Sequence, residues 1–382
     1  MVISLRSFLR SALLSVSLVF ASTNDADAAG LHQVRVTDNA VYGSVGAPGK
    51  PVKLTLDPHL QRAAERLLAN SGAPEGAIVA SDVRTGLILA WASRGGRDFV
   101  SEPYAPSSSL FKVVTAATLL EGGYANESTN VCYSGGEHDI RPADLEHGGG
   151  TCIEFGEALG KSVNMVFARM AKKHLDPGDL RRMAENIGFA GEIPIDVPVT
   201  GGRVEIPNDP FGMARAAAGF WNGKLSPLGA LFAMQTIANQ GERISFVLQD
   251  PGGPVQRHPG RQAIRPTIAR TLNRMLQVTT KRGTCVKAFR HADGTRALPG
   301  MAVAAKTGTL IGGHPTRMFS WFASFAPADK PQIAVAVMLA NDISWRTKAN
   351  VVGRDMLEAY FHPKSTTTSN RVARTGSKKR KR

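Results

Sequence analysis

A chain of 382 residues is long enough for one large domain or two small ones with a sizeable core. Its three cysteines form no C-x-x-C pair, and its nine histidines show neither metal-ligand spacing nor H-E-x-x-H, so nothing points to a metal site. The formal net charge of +15 is uneven: seven basic residues and no acid follow Lys364, so part of the excess belongs to a tail.

At the N-terminus, Arg6 and Arg10 precede the apolar run Ala12 to Ala21, and Ala26-Asp27-Ala28 supplies small residues suited to cleavage. Residues 1–28 read as a secretion signal. The run is short for a membrane span, and an uncleaved anchor over residues 11–22 is the alternative. Residues 29–50 read as a linker, leaving no room ahead of the domain for a glycan-polymerising module. From 51 to 105 the pattern predicts a helix and two strands, with Ala77 to Ser93 forming a hairpin of buried strands around a polar turn.

Ser109-Leu110-Phe111-Lys112 is the single S-x-x-K, and it opens an apolar helical pattern reaching about Leu120. Residues three apart share a helix face, so the Ser109 hydroxyl and the Lys112 amine can meet. A serine hydroxyl needs a base near neutral pH, and a lysine supplies one when burial and nearby positive charge depress its pKa. Alone, the motif also fits a helix start with a capping serine and a solvated lysine.

Residues 106–270 read as mostly helical. The interruptions are a Gly-rich polar excursion between Cys132 and Cys152 and Pro/Gly-rich turns near 200–210 and 251–266. Ser162-Val163-Asn164, an S-x-N, falls inside the helical pattern Phe155 to Leu175, far enough from Ser109 for the chain to return to it. By itself it also fits capping or solvated polar residues. A helix is predicted at about 267–279, strands near 301–310, 317–326 and 332–340, and a last helix near 347–361. Lys306-Thr307-Gly308-Thr309 holds the only K-T-G and ends a buried-strand run. Gly308 permits close approach of a ligand or another backbone, and a free strand edge suits an added peptide. An ordinary strand-to-turn junction fits the same residues. Strands at both sequence ends imply one sheet closed by the two ends of the domain. Residues 364–382, rich in Ser, Thr and basic groups, read as a disordered tail.

S-x-x-K, then S-x-N, then K-T-G is the ordered motif set of penicillin-recognising serine enzymes. The flanks sharpen it: Leu54-Thr55-Leu56-Asp57-Pro58, the hairpin 77–93, Leu225-Ser226-Pro227-Leu228, and Ser320-Trp321-Phe322-Ala323. Over roughly residues 51 to 361 the chain resembles the transpeptidase domain of penicillin-binding proteins. The resemblance implies an α+β fold across 51–363, with a five-stranded antiparallel sheet, helices on both faces, an all-helical lobe, and the site at their seam. It implies a peptidoglycan D,D-transpeptidase that needs no cofactor and takes stem peptides and β-lactams as partners. Ser109 is then the nucleophile and Lys112 its base. Ser162 relays a proton to the leaving group, and Asn164 holds the donor peptide and Lys112. Lys306 stays cationic and keeps Lys112 neutral by like-charge repulsion. Thr307, Gly308 and Thr309 line the substrate, the two hydroxyls holding its terminal carboxylate, while the Ser109 and Thr309 N–H groups form an oxyanion hole.

The resemblance also supports a disulfide between Cys132 and Cys152, since some relatives carry cysteines around this excursion, and leaves Cys285 as a buried thiol. Secretion places the protein in the periplasm or beyond, away from nucleic acid. There the tail either meets an anionic wall or membrane surface or stays a solvated extension. A D-alanyl-D-alanine carboxypeptidase and a β-lactamase share the chemistry. The latter usually needs a dedicated deacylation base, and no S-D-N triplet is present. A non-catalytic wall-binding or penicillin-sensing module is the alternative of another class.

Overall fold

Five runs of small and β-branched apolar residues build the central sheet. In the computed structural model, which describes residues 30–363 apart from 47, 137–138, 147–148, 221–222, 256, 258–259 and 345–346, these are β1 (Glu75–Asp82), β2 (Ile88–Arg94), β3 (Ala304–Gly312), β4 (Arg317–Ala326) and β5 (Ile333–Asn341). The segments expected to form a secretion signal or anchor and a disordered tail lie outside the described residues. The sheet is antiparallel in the order β3-β4-β5-β1-β2, so the two sequence ends of the domain meet side by side where β5 pairs with β1. Both faces are covered, and β5 is buried at every position. That is why the inner strands β1, β4 and β5 read as nearly continuous apolar runs rather than alternating ones. Alternate residues serve two cores: Ala77 and Val79 join one, Ile78 and Ala80 the other.

Helices α1 (Pro58–Ser71) and α8 (Ala349–Phe361) cover one face through Leu60, Ala64 and Leu68 and through Val352, Met356 and Leu357. Asp57 caps α1 by accepting the Leu60 N–H at 2.8 Å, Pro58 opens its first turn, and Gly72 ends it in the left-handed region. The other face carries the lobe that holds α2 (Lys112–Glu121), α3 (Phe155–Lys161), α4 (Asn164–His174), α5 (Pro210–Ala217), α6 (Pro227–Ala238) and α7 (Pro266–Lys281). Nearly all of α6 is buried, which explains its apolar character all round.

Three features depart from the sequence expectation. Residues 29–50, read as a linker, contain the strands Leu31–Val36 and Val41–Val45, which join Val52–Leu54 in a three-stranded sheet. Asp98 fastens this sheet to the core by accepting from the Leu31 N–H at 3.0 Å and the Trp91 indole at 3.0 Å. The helical lobe also carries a ribbon of short strands, Ala105–Pro106, Gly223–Leu225, Thr200–Val204 and Gly191–Glu192, too short to print a period in the sequence. Finally, the helix expected from Phe155 to Leu175 is broken at Ser162 and Val163.

Candidate active site

Ser109 lies in a single 3₁₀ turn, Ser108–Phe111, and Lys112 is the first residue of α2. Side chains at i and i+3 eclipse in such a turn, and Lys112 Nζ meets Ser109 Oγ at 2.8 Å. Ser108 is held in the left-handed region at φ 51. Its surroundings fix it there. The Trp321 indole donates to the Pro106 carbonyl at 2.8 Å, two residues upstream. Gly219, itself at φ 94, is pressed so close to the Ser108 carbonyl that any side chain there would collide with it. A Cβ on Gly308 would stand 3.0 Å from the Ser108 Cβ and 3.4 Å from the Ser109 nitrogen. The glycine of K-T-G is therefore where β3 passes directly over the serine backbone.

Lys112 is fully buried, whereas Ser109 is partly open to solvent. Its amine also donates to Asn164 Oδ1 at 2.8 Å and to the Ala218 carbonyl at 2.6 Å. Burial, and then the charge of Lys306, hold its pKa well below the ordinary lysine range. Asn164 opens α4, and its amide donates to the Gly136 carbonyl at 3.1 Å.

Lys306 is equally buried and donates to Ser162 Oγ at 2.9 Å and to the Thr307 carbonyl at 2.8 Å. Burial lowers its pKa to about 7, and the Cys285 thiol opposes that shift. Burial is thus the first cause of the Lys112 depression and the Lys306 charge the second. The same burial works against the positive charge expected of Lys306.

Ser162 reaches Lys306 because the helix breaks beneath it. Helix α3 ends at Lys161, Ser162 takes φ 61, and Val163 is extended before α4 begins. The apolar pattern runs through the break, with Leu159 and Val166 both buried, so periodicity alone hides it. The break sends the Ser162 hydroxyl to one lysine and the Asn164 amide to the other.

Ser109, Lys112 and Asn164 thus form one hydrogen-bonded set, and Ser162 and Lys306 a second, coupled to the first by charge. Thr307 turns its hydroxyl to that of Thr284, 2.6 Å away, and Thr309 is exposed. Cys132 and Cys152 pair across the hairpin Asn130–Tyr133 and Thr151–Glu154 and are joined by a disulfide. Cys285 is free and buried, its thiol pushed up to about 12. Sequence reasoning missed four participants: the Ala218 and Gly136 carbonyls, Gly219 and Thr284. Backbone acceptors leave no side-chain signal, and a glycine after a helix reads as an ordinary terminator. A hydroxyl in contact with a buried amine of depressed pKa is equipped for acyl transfer. A cavity of about 900 Å³ between the N-terminal hairpin and Trp91 is lined by none of these residues.

The family model for the penicillin binding protein transpeptidase domain matches residues 76–357. The peptidoglycan D,D-transpeptidase PbpA of Mycobacterium tuberculosis is 26% identical over 366 residues, covering 81% of this chain and 72% of that protein. Penicillin-binding protein PbpB of Mycolicibacterium smegmatis is 26% identical, and the match spans half of its length and 76% of this chain. Among solved structures, an acyl-enzyme complex of penicillin-binding protein A from M. tuberculosis superposes with a TM-score of 0.68 at 24% identity, over 82% of this chain and 81% of that one. The D,D-transpeptidase domain of a peptidoglycan glycosyltransferase from Eggerthella lenta gives 0.65 at 25% identity, over 82% and 83%.

Proposed function

The chain belongs to the penicillin-binding protein transpeptidase family, and from that premise we propose that it is a peptidoglycan D,D-transpeptidase working through an acyl-enzyme on Ser109. The observation that carries this reading is the buried Lys112 amine in contact with both Ser109 Oγ and Asn164 Oδ1. The neutral amine takes the Ser109 proton as Oγ attacks the carbonyl between the two D-alanines of a stem peptide. Negative charge on the carbonyl oxygen is met by the N–H groups of Ser109 and Thr309. The C–N bond breaks as the proton passes from Lys112 through Ser162 to the departing D-alanine nitrogen, leaving an ester on Ser109. An amine from a second stem peptide attacks that ester, loses a proton to Lys112, and forms the crosslink; the proton returns to Ser109. Thr307 and Thr309 hydroxyls bind the substrate carboxylate, and β-lactams enter as acylating mimics of the donor.

Water in place of the amine yields a trimmed peptide, so products decide between crosslinking and carboxypeptidase activity. Purified protein with a stem-pentapeptide dimer should give crosslinked product. Fluorescent penicillin should label the wild type and not a folded Ser109→Ala variant, with slow release. Retained labelling in the variant sinks the nucleophile assignment, and fast release indicates a β-lactamase.

Residues 1–28 and the disulfide support a periplasmic or secreted location, where such bonds persist. Among the described residues no helix is long and apolar enough to cross a membrane. Fractionation separates a cleaved signal from an anchor over residues 11–22. The basic segment 364–382 suits an anionic wall or membrane surface. Its deletion should spare acylation and weaken salt-sensitive sedimentation with anionic vesicles, and equal sedimentation leaves it a solvated extension.

A further inference from the structure

We propose that Thr284 is a positioning residue of this site, setting the Thr307 hydroxyl for the substrate's carboxylate. The proposal rests on the transpeptidase reading above.

The two hydroxyl oxygens are 2.6 Å apart, and either can be the donor. One O–H donates along the line between the two oxygens, so the other O–H is left to point elsewhere. A carboxylate is an acceptor only, and a hydroxyl that itself accepts a hydrogen bond becomes a better donor to it. Thr284 also comes from an element distinct from every motif used so far, the loop following α7.

That loop is fixed from several sides. The Thr280 hydroxyl donates to the Val303 carbonyl at 2.8 Å, just ahead of β3. The Cys285 N–H donates to the Thr279 carbonyl at 2.9 Å, and the Thr284 N–H to the Gly160 carbonyl at 3.3 Å. Arg282 pairs with Glu157 of α3. Gly283 is packed so tightly on the Gly160 carbonyl that a side chain there would collide with it. The loop therefore ties α3, which delivers Ser162, to the K-T-G strand, and Thr284 is the one of its side chains bonded to that motif. β3 is an edge strand of the sheet, paired with β4 alone. Thr307 lies on that edge strand, opposite Phe322 of β4, and carries the bond to Thr284.

The test uses the full chain, with Thr284→Val removing the hydroxyl at constant shape and Thr284→Ser restoring it. Stopped-flow acylation separates the binding constant from the first-order acylation rate, with benzylpenicillin and with its methyl ester, which lacks the carboxylate. Without the Thr284 hydroxyl the Thr307 O–H is no longer held toward the carboxylate, and weakening that one charge-assisted hydrogen bond is expected to loosen benzylpenicillin binding by up to about tenfold while the acylation rate changes less than about twofold. The ester should be unaffected, and Thr284→Ser should behave as wild type. Unchanged benzylpenicillin binding in Thr284→Val overturns the proposal. An equal loss with the ester also overturns it, because a merely structural role predicts that result. A wild-type protein that is not acylated at all overturns the transpeptidase reading and takes this proposal with it.

Discussion

Lys306 Nζ reaches Ser162 Oγ at 2.9 Å because Ser162 stands in the left-handed region at the break between α3 and α4. An L-residue there is strained by roughly 1–2 kcal/mol, whereas glycine is not. Ser162→Ala and Ser162→Gly both remove the hydroxyl and take one acceptor from a buried amine. Only the alanine variant keeps the strain. Both should lose most penicillin acylation, while Ser162→Gly should be the more stable by about 1 kcal/mol in denaturant unfolding. The reverse order of stability would remove left-handed strain from the account.

The acylation–pH profile should have an acidic limb set by Lys112, which acts only when neutral. Removing the Lys306 charge in Lys306→Met lets the Lys112 pKa rise, so the limb moves to higher pH. Burial is the larger cause of the depression and remains in the variant, so the limb should stay well below the ordinary lysine range near 10.4. Rates of penicillin acylation across pH 5–9 check this, and an unmoved limb excludes electrostatic coupling between the two amines. Lys112→Arg should be inactive throughout, since a guanidinium does not deprotonate.

The same lysines make stability depend on pH. Lys306 titrates at about 7 in the folded protein and near 10.4 when unfolded, so between these values the unfolded chain binds more protons. Stability then rises as pH rises from about 7, by at most about 1.4 kcal/mol per pH unit from this residue. Lys112, depressed further, adds a slope of the same sign that starts at lower pH. Urea midpoints at pH 7, 8 and 9 should climb in the wild type and climb less in Lys306→Met. Parallel slopes would mean that Lys306 is charged in the folded state across this range.

The sheet was legible because its inner strands are buried on both faces and therefore apolar, as Ile333–Asn341 illustrates. Ser109, Lys112, Ser162, Asn164 and Lys306 could be picked out because each side chain sits in a short unique or ordered motif. The break at Ser162 could not, because buried Leu159 and Val166 carry the apolar period across it. Nor could the hairpin Leu31–Val45, whose attachment runs through Asp98, 67 residues from Leu31. The Ala218 and Gly136 carbonyls are positioned by backbone geometry alone, and the ordering of the two lysine effects depends on burial that only the folded chain defines.

The disulfide connects stability to the site in a way that can be measured. Cys132 and Cys152 are 20 residues apart and close the excursion that contains Gly136. The Gly136 carbonyl accepts from the Asn164 amide, and Asn164 Oδ1 in turn accepts from Lys112. Constraining a loop of this size stabilises a folded protein by up to about 3 kcal/mol in the chain-entropy account. Replacing both cysteines by serine should therefore lower stability by no more than about that amount. It should also slow acylation several-fold, because a looser excursion orients Asn164 less well against Lys112, and reducing agent should reproduce both effects in the wild type. Peptide mapping without reductant, on protein made in an oxidising compartment, should find the 132–152 link and a single free thiol at Cys285. Free thiols at both Cys132 and Cys152 would end this account. Lost stability with unchanged acylation would confine the bond to holding the hairpin, with Asn164 positioned by α4 alone.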